Sequence, residues 1–215
     1  MSEKTTGIPD NNKAEMESVS NKIESRIRKS GRGKFVFASQ FAAFASQDAA
    51  VKTLQRLMAS GTLIRISRGV YYYPRIDTRY GLGIIQPTLG EIALAIAARD
   101  RVKVFPTGAY ALHALGLSDQ VPANAVFITN GSDRQLDVCR GRMIQFRHSD
   151  NARNFAYRSP QMQLIVSALK EIGEGKATDS ELQRIREVLV VIPAQSFAHD
   201  VTLAPAWIRE ILLSL

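Results

Sequence analysis

The sequence predicts an α+β chain in two unequal parts: a small basic unit of helices closed by a β-hairpin, then a larger mixed α+β unit with a helical end. Three observations predict it. Between Lys22 and Arg79, 12 Lys and Arg stand against three acids (Glu24, Asp48 and Asp77), whereas from Tyr80 onward 14 basic residues stand against 13 acidic ones. The net charge of +8 is therefore carried by one short segment. Within that segment, 3.6-residue apolar periodicity gives way to two β-branched and aromatic runs flanking a turn with Gly69. Beyond it, Thr88/Glu91 and Thr178/Glu181 read as capping boxes, and alternating apolar runs lie between them.

Element by element, residues 1–18, with Gly7, Pro9, Asp10, Asn11 and Asn12 and few large apolar side chains, predict a disordered tail. Ile23 and Ile27 fall four apart among Lys22, Arg26, Arg28 and Lys29, which predicts a helix over residues 21–30 that stops at Gly31 and Gly33. Phe35, Val36 and Phe37 form a short extended run. Ser39 is placed to cap a brief helix over 40–44, and Ser46 a longer one ending at Gly61. In that third helix Val51, Leu54, Leu57 and Met58 share one face; Ala49, Lys52, Thr53 and Arg56 share the other. Residues 63–66 and 70–73 are two strands joined across Ser67, Arg68 and Gly69, with Tyr71, Tyr72 and Tyr73 packing the pair. Helix, helix, helix and a basic-tipped hairpin predict a winged helix-turn-helix over residues 19–80.

Residues 75–86 predict a linker folding back on the wing. In the second unit (81–215), Thr88 opens a helix to about Arg99, 102–105 is a short strand, and Thr107 caps a helix ended by Gly116. Residues 125–129, 135–138 and 143–146, separated by Asn130/Gly131 and Arg140/Gly141, predict an antiparallel meander. Ser159 and Pro160 start a helix to about Ile172. Thr178 starts one to about Val191, and 206–213 is a last helix with Trp207.

A basic excess confined to a small unit is the electrostatic footprint of a nucleic-acid-binding module, since a generally basic surface would spread the charge. In a winged helix the third helix enters the major groove and the wing tip lies beside a phosphate or in the minor groove. The candidate DNA contacts are therefore Ser46 and Gln47 at the start of that helix, Lys52, Thr53 and Arg56 on its polar face, Lys34 ahead of it, and Arg65 and Arg68 in the wing.

The chain resembles a known family in Ala50, Val51, Leu54, Leu57, Gly61, Thr62, Leu63, Ile64 and Arg65, then Arg68, Gly69, Val70, Tyr71 and Pro74. The pattern continues through Pro87, Thr88, Glu91, Ile92, Ala93, Ala97, Arg99 and Asp100, and then Pro106, Thr107, Gly108, Ala111, Leu115, Gly116 and Leu117. Over residues 20–150 these are similar to AbiEi-type antitoxins of bacterial type IV toxin–antitoxin systems. The resemblance implies an N-terminal winged helix that represses its own operon at operator repeats, where a homodimer would fit. It also implies a C-terminal domain that counteracts a nucleotidyltransferase-like toxin encoded alongside, without requiring a stable complex. The alternative is a plain winged-helix transcriptional regulator whose second domain binds an effector or dimerises. A more distant one is a nucleic-acid-processing enzyme that docks through the winged helix. Beyond residue 155 no motif matches.

Catalytic signals are weak. His113, His148 and His199 lie in unrelated elements without metal-ligand spacing. Gly31/Gly33 and Gly81/Gly83 lack the strand and helix of a dinucleotide fingerprint. Ser132/Asp133 and His148/Ser149/Asp150 lack a nucleophile elbow, and Glu174/Lys176 reads as a loop. No enzyme activity, metal or cofactor is expected. The single cysteine, Cys139, forbids an internal disulfide. No apolar run reaches the roughly 20 residues that span a bilayer, so the expectation is a cytoplasmic chain with no membrane partner.

Overall fold

The computed structural model describes the backbone of residues 10–138 and 141–215, and their side chains from Ser18 onward. The chain is α+β and divides into two compact units, Met1–Pro87 and Thr88–Leu215.

The first unit runs α1 (Asp10–Lys29), β1 (Lys34–Val36), a 3-10 turn (Ala38–Phe41), α2 (Gln47–Ala59), β2 (Ile64–Ser67) and β3 (Val70–Tyr73). Residues 10–18, expected in the disordered tail, form the start of α1, so the low apolar content there did not prevent helix; residues 1–9 of that expectation lie outside the described residues. The second helix is shorter than expected and begins after Phe37, whose N–H donates to Gln40 Oε1 at 3.2 Å, rather than at Ser39. α2 matches the expected caps: Ser46 Oγ accepts from Ala49 N, and Gly61 follows the helix with φ +73°. The strands form one antiparallel sheet in the order β1-β3-β2. The central strand, β3, is buried throughout, as both of its edges are paired and its apolar side chains face packed neighbours. Ile23 and Ile27 of α1, Leu54 and Leu57 of α2, and Phe41 share the core with Val36, Tyr71 and Tyr73.

Residues 75–86 are not a linker. Arg75–Asp77 (β4) and Gly83–Ile85 (β5) pair antiparallel. Asp77 closes their turn by accepting from the backbone N–H groups of Arg79, Tyr80 and Leu82. The compact units accordingly meet at Pro87/Thr88, beyond residue 80.

In the second unit α3 (Leu89–Asp100), β6 (Val104–Thr107) and α4 (Gly108–Leu115) precede β7 (Asn124–Thr129), β8 (Arg134–Val138) and β9 (Arg142–His148). The sheet order is β6-β7-β9-β8, with β7 and β9 parallel. The expected antiparallel meander is thus corrected: β9 inserts between β7 and β8. β9 contributes the buried Ile144 and Phe146, and β7 the buried Ala125 and Phe127, while β8 alternates between exposed and half-buried positions until Val138 and fits the sheet's edge. The helical end comprises α5 (Pro160–Ile172), α6 (Asp179–Leu189), α7 (Ala194–Asp200) and α8 (Ala206–Ser214). α7 was not foreseen; its N-cap is Pro193, which offers no side-chain acceptor. Both capping boxes form, with Thr88 N to Glu91 Oε2 and Thr178 N to Glu181 Oε2 each at 2.8 Å.

Candidate nucleic-acid interface

α2 buries Ala50, Thr53, Leu54 and Leu57. At 100° per residue the opposite side must carry Asp48, Lys52, Gln55 and Ala59, and all four are exposed. Ser46 and Gln47 are exposed at the helix start, where unpaired backbone N–H groups favour phosphate. Among the described residues Lys52 has no carboxylate partner. Asp48 sits in the first turn, where a carboxylate complements the helix dipole.

Two of the expected contacts are placed otherwise. Thr53 is buried, donating its hydroxyl to the Ala49 carbonyl at 2.9 Å, with its oxygen 3.3 Å from Ser20 Oγ of α1. It belongs to the α1–α2 seam; the helical wheel put it at the edge of the polar face, and the neighbouring helix covers that edge. Arg56 turns to the same seam, with Nη2 donating to Ser20 Oγ at 2.6 Å and lying 3.7 Å from Glu24 Oε2. Its side chain remains 55% exposed, so it stays within reach of solvent. Gln55, not among the expected contacts, is exposed three residues after Lys52 on the same face, a place readable by the same periodicity.

The β2–β3 tip is built as expected. Ser67 pairs with Val70, the register shifts between Arg65 and Ser67, and Gly69 takes φ +71°, which leaves Arg68 exposed at the reversal. Gly69 is required there because a Cβ is strained at positive φ. Arg65 is exposed one turn of the pleat away and donates Nε to the Ser67 carbonyl at 3.4 Å; among the described residues it pairs with neither Asp77 nor any other carboxylate. Lys34 lies elsewhere, on β1 opposite Tyr73, in a cleft with Arg26 and Gln40.

Among the described residues the second unit shows no catalytic or metal-binding grouping. Among the described residues no three His, Cys, Asp or Glu side chains group so as to hold a metal. Asp200 is fully buried and resembles a catalytic acid beside His199 (2.8 Å), but it accepts from the backbone N–H groups of Arg158 and Ser159, capping α5 through space. Ser159 Oγ is committed to Met162 N and Gln161, so no Ser-His-Asp relay is formed. Burial, helped by Asp200, pushes the Tyr157 phenol up to about 12, so it stays protonated and neutral. Glu174 and Lys176 lie in the loop between α5 and α6, as expected.

These features define an α+β protein whose first unit presents Lys52 on the exposed face of α2 and Arg68 at a hairpin tip. The chain belongs to a family of unknown function, DUF6088, whose pattern matches residues 22–196 and so spans both units. No curated protein and no solved structure matches it. Among the described residues no helix is long and apolar enough to cross a membrane.

Proposed function

We propose that the first unit is a winged helix-turn-helix that binds double-stranded DNA, and that the chain is the antitoxin and autorepressor of a type IV toxin–antitoxin pair. The observation that carries the DNA reading is the pairing of an exposed polar face on α2 with an exposed arginine at the tip of the adjacent hairpin. The order helix, strand, helix, helix, strand, strand with sheet order β1-β3-β2 supports it. In this reading Ser46, Gln47, Lys52 and Gln55 meet bases and phosphates in the major groove, and Arg65 and Arg68 meet the flanking backbone. The antitoxin half rests on the resemblance to AbiEi-type proteins. It assigns the second unit to counteracting a nucleotidyltransferase-like toxin in the cytoplasm, with no catalysis by this chain.

A gel-shift titration on DNA from upstream of the gene tests the first half. Lys52→Ala should weaken binding by about 1–3 kcal/mol if the side chain reaches a base edge. Arg68→Ala should lower affinity yet leave folding stability within about 0.5 kcal/mol, as for an ordinary surface substitution. Wild-type affinity in the double variant would overturn the interface. Co-expression with the neighbouring gene product tests the second half: absence of protection by the full chain would leave a plain DNA-binding regulator.

A further inference from the structure

The two flanks of α1 are electrostatically unlike. On one, Glu24 holds Arg28 at 2.7 Å and approaches Arg56, so the charge there is compensated. On the other, Lys22, Arg26 and Lys29 recur at positions i, i+4 and i+7, which puts them on one stripe. They line an open groove of about 930 Å³ with Asn21, Ser25 and Phe44. Among the described residues none of the three has a carboxylate within ion-pair distance, and all are exposed. Arg26 lies over the Phe44 ring, 5.9 Å from its centre, which steers the guanidinium along the groove. Arg26 also lines the adjoining cleft of about 290 Å³ with Ser30, Lys34 and Gln40. The basic track therefore runs from the middle of α1 past its end to the start of β1.

The helix dipole does not account for this arrangement. Cations in the last turn of a helix offset its exposed carbonyls, which covers Arg26 and Lys29. Lys22 lies a further turn back and Lys34 is outside the helix. Uncompensated like charges along one track repel one another, and an anion with charges repeated along its length relieves that. Hydroxyl and amide donors beside the cations, as at Ser25 and Asn21, suit phosphate oxygens.

We infer that this track binds the phosphodiester backbone of duplex DNA flanking the segment read by α2 and the hairpin tip, an inference that rests on the DNA-binding reading above. The unit then meets DNA on two surfaces, one reading sequence and one adding affinity without sequence preference. In the full-length protein, Lys22→Gln/Arg26→Gln/Lys29→Gln should lower the slope of log K against log salt by about 2 to 3, because each phosphate that a cation neutralises contributes about 0.9 to that slope. The fall in affinity should be alike on a random-sequence duplex and on DNA from upstream of the gene. Arg79→Gln, exposed in the β4–β5 turn, should leave the slope unchanged. If wild-type protein binds both duplexes and the triple variant keeps the wild-type slope and affinity, the track is overturned while the DNA reading stands. An equal fall from Arg79→Gln would reduce the effect to net charge and also overturn it. If wild-type protein binds neither duplex, the DNA reading itself fails and the track falls with it.

Discussion

His148 has both ring nitrogens engaged by acceptors: Nδ1 lies 2.7 Å from the Gly131 carbonyl oxygen and Nε2 2.7 Å from Asp150 Oδ1. A neutral imidazole can donate to only one of them, so both interactions favour the imidazolium. The hydrogen bond to Asp150, then that to Gly131, raises the His148 pKa above its ordinary 6.5. The folded value being the higher one, the stabilisation is complete below the ordinary pKa and is lost as pH rises through the raised value. An NMR titration should therefore place His148 above 6.5 and show Asp150→Ala moving it down; a wild-type value at or below 6.5 would reject the clamp. Thr53 gives the second test at this scale. As its hydroxyl bonds only within the α1–α2 seam, Thr53→Val should cost about 1 kcal/mol in denaturant unfolding and leave DNA affinity unchanged. Weakened DNA binding with unchanged stability would return Thr53 to the interface.

At the scale of elements, Gly90 shows tertiary packing reversing a local preference. Within a helix, Gly costs roughly 0.5–1 kcal/mol relative to Ala, so Gly90→Ala in α3 should be stabilising on propensity alone. Yet Gly90 N donates to Tyr110 Oη of α4 at 2.7 Å, and a Cβ at position 90 would meet that oxygen at 2.6 Å. Tyr110 is half-buried and packed 5.5 Å from Phe127, which limits its retreat. Gly90→Ala should therefore destabilise the protein by about 1–3 kcal/mol through overpacking, and a raised melting temperature would show that the tyrosine yields. Capped helices were legible because their signals are local: Ser46, Thr88, Ser159 and Thr178 each accept from the backbone N–H three residues on. The parallel β7–β9 pairing was not. Apolar alternation reveals which face of a strand is buried, but not which strand lies beside it.

For the whole molecule, the change from a basic to a near-neutral stretch signalled two parts, and the packing divides the chain at Pro87/Thr88. The cut belongs there because β4 lies before residue 80 and its partner β5 after it. Residues 1–87 and 88–215, expressed separately, should each melt cooperatively. The first should retain DNA binding and the second at least part of the protection against the neighbouring toxin. Absence of a cooperative transition in either fragment would reject independent folding. Full protection by 1–87 alone would reverse the division of labour.

The sequence by itself determined the α+β class, the caps at Ser46, Thr88, Ser159 and Thr178 (though not those expected at Ser39 and Thr107), the β2–β3 reversal at Gly69 and the confinement of positive charge to the first unit. Each follows from neighbours in the chain or from simple composition. Tertiary structure alone decided that Thr53 is buried, that Arg56 turns to Ser20, and that Lys34 lies with Arg26 instead of with α2. It alone decided that β9 runs parallel to β7. A helical wheel says which side chains share a face, but the exposure of that face depends on what packs against it, and those partners lie up to 36 residues away along the chain.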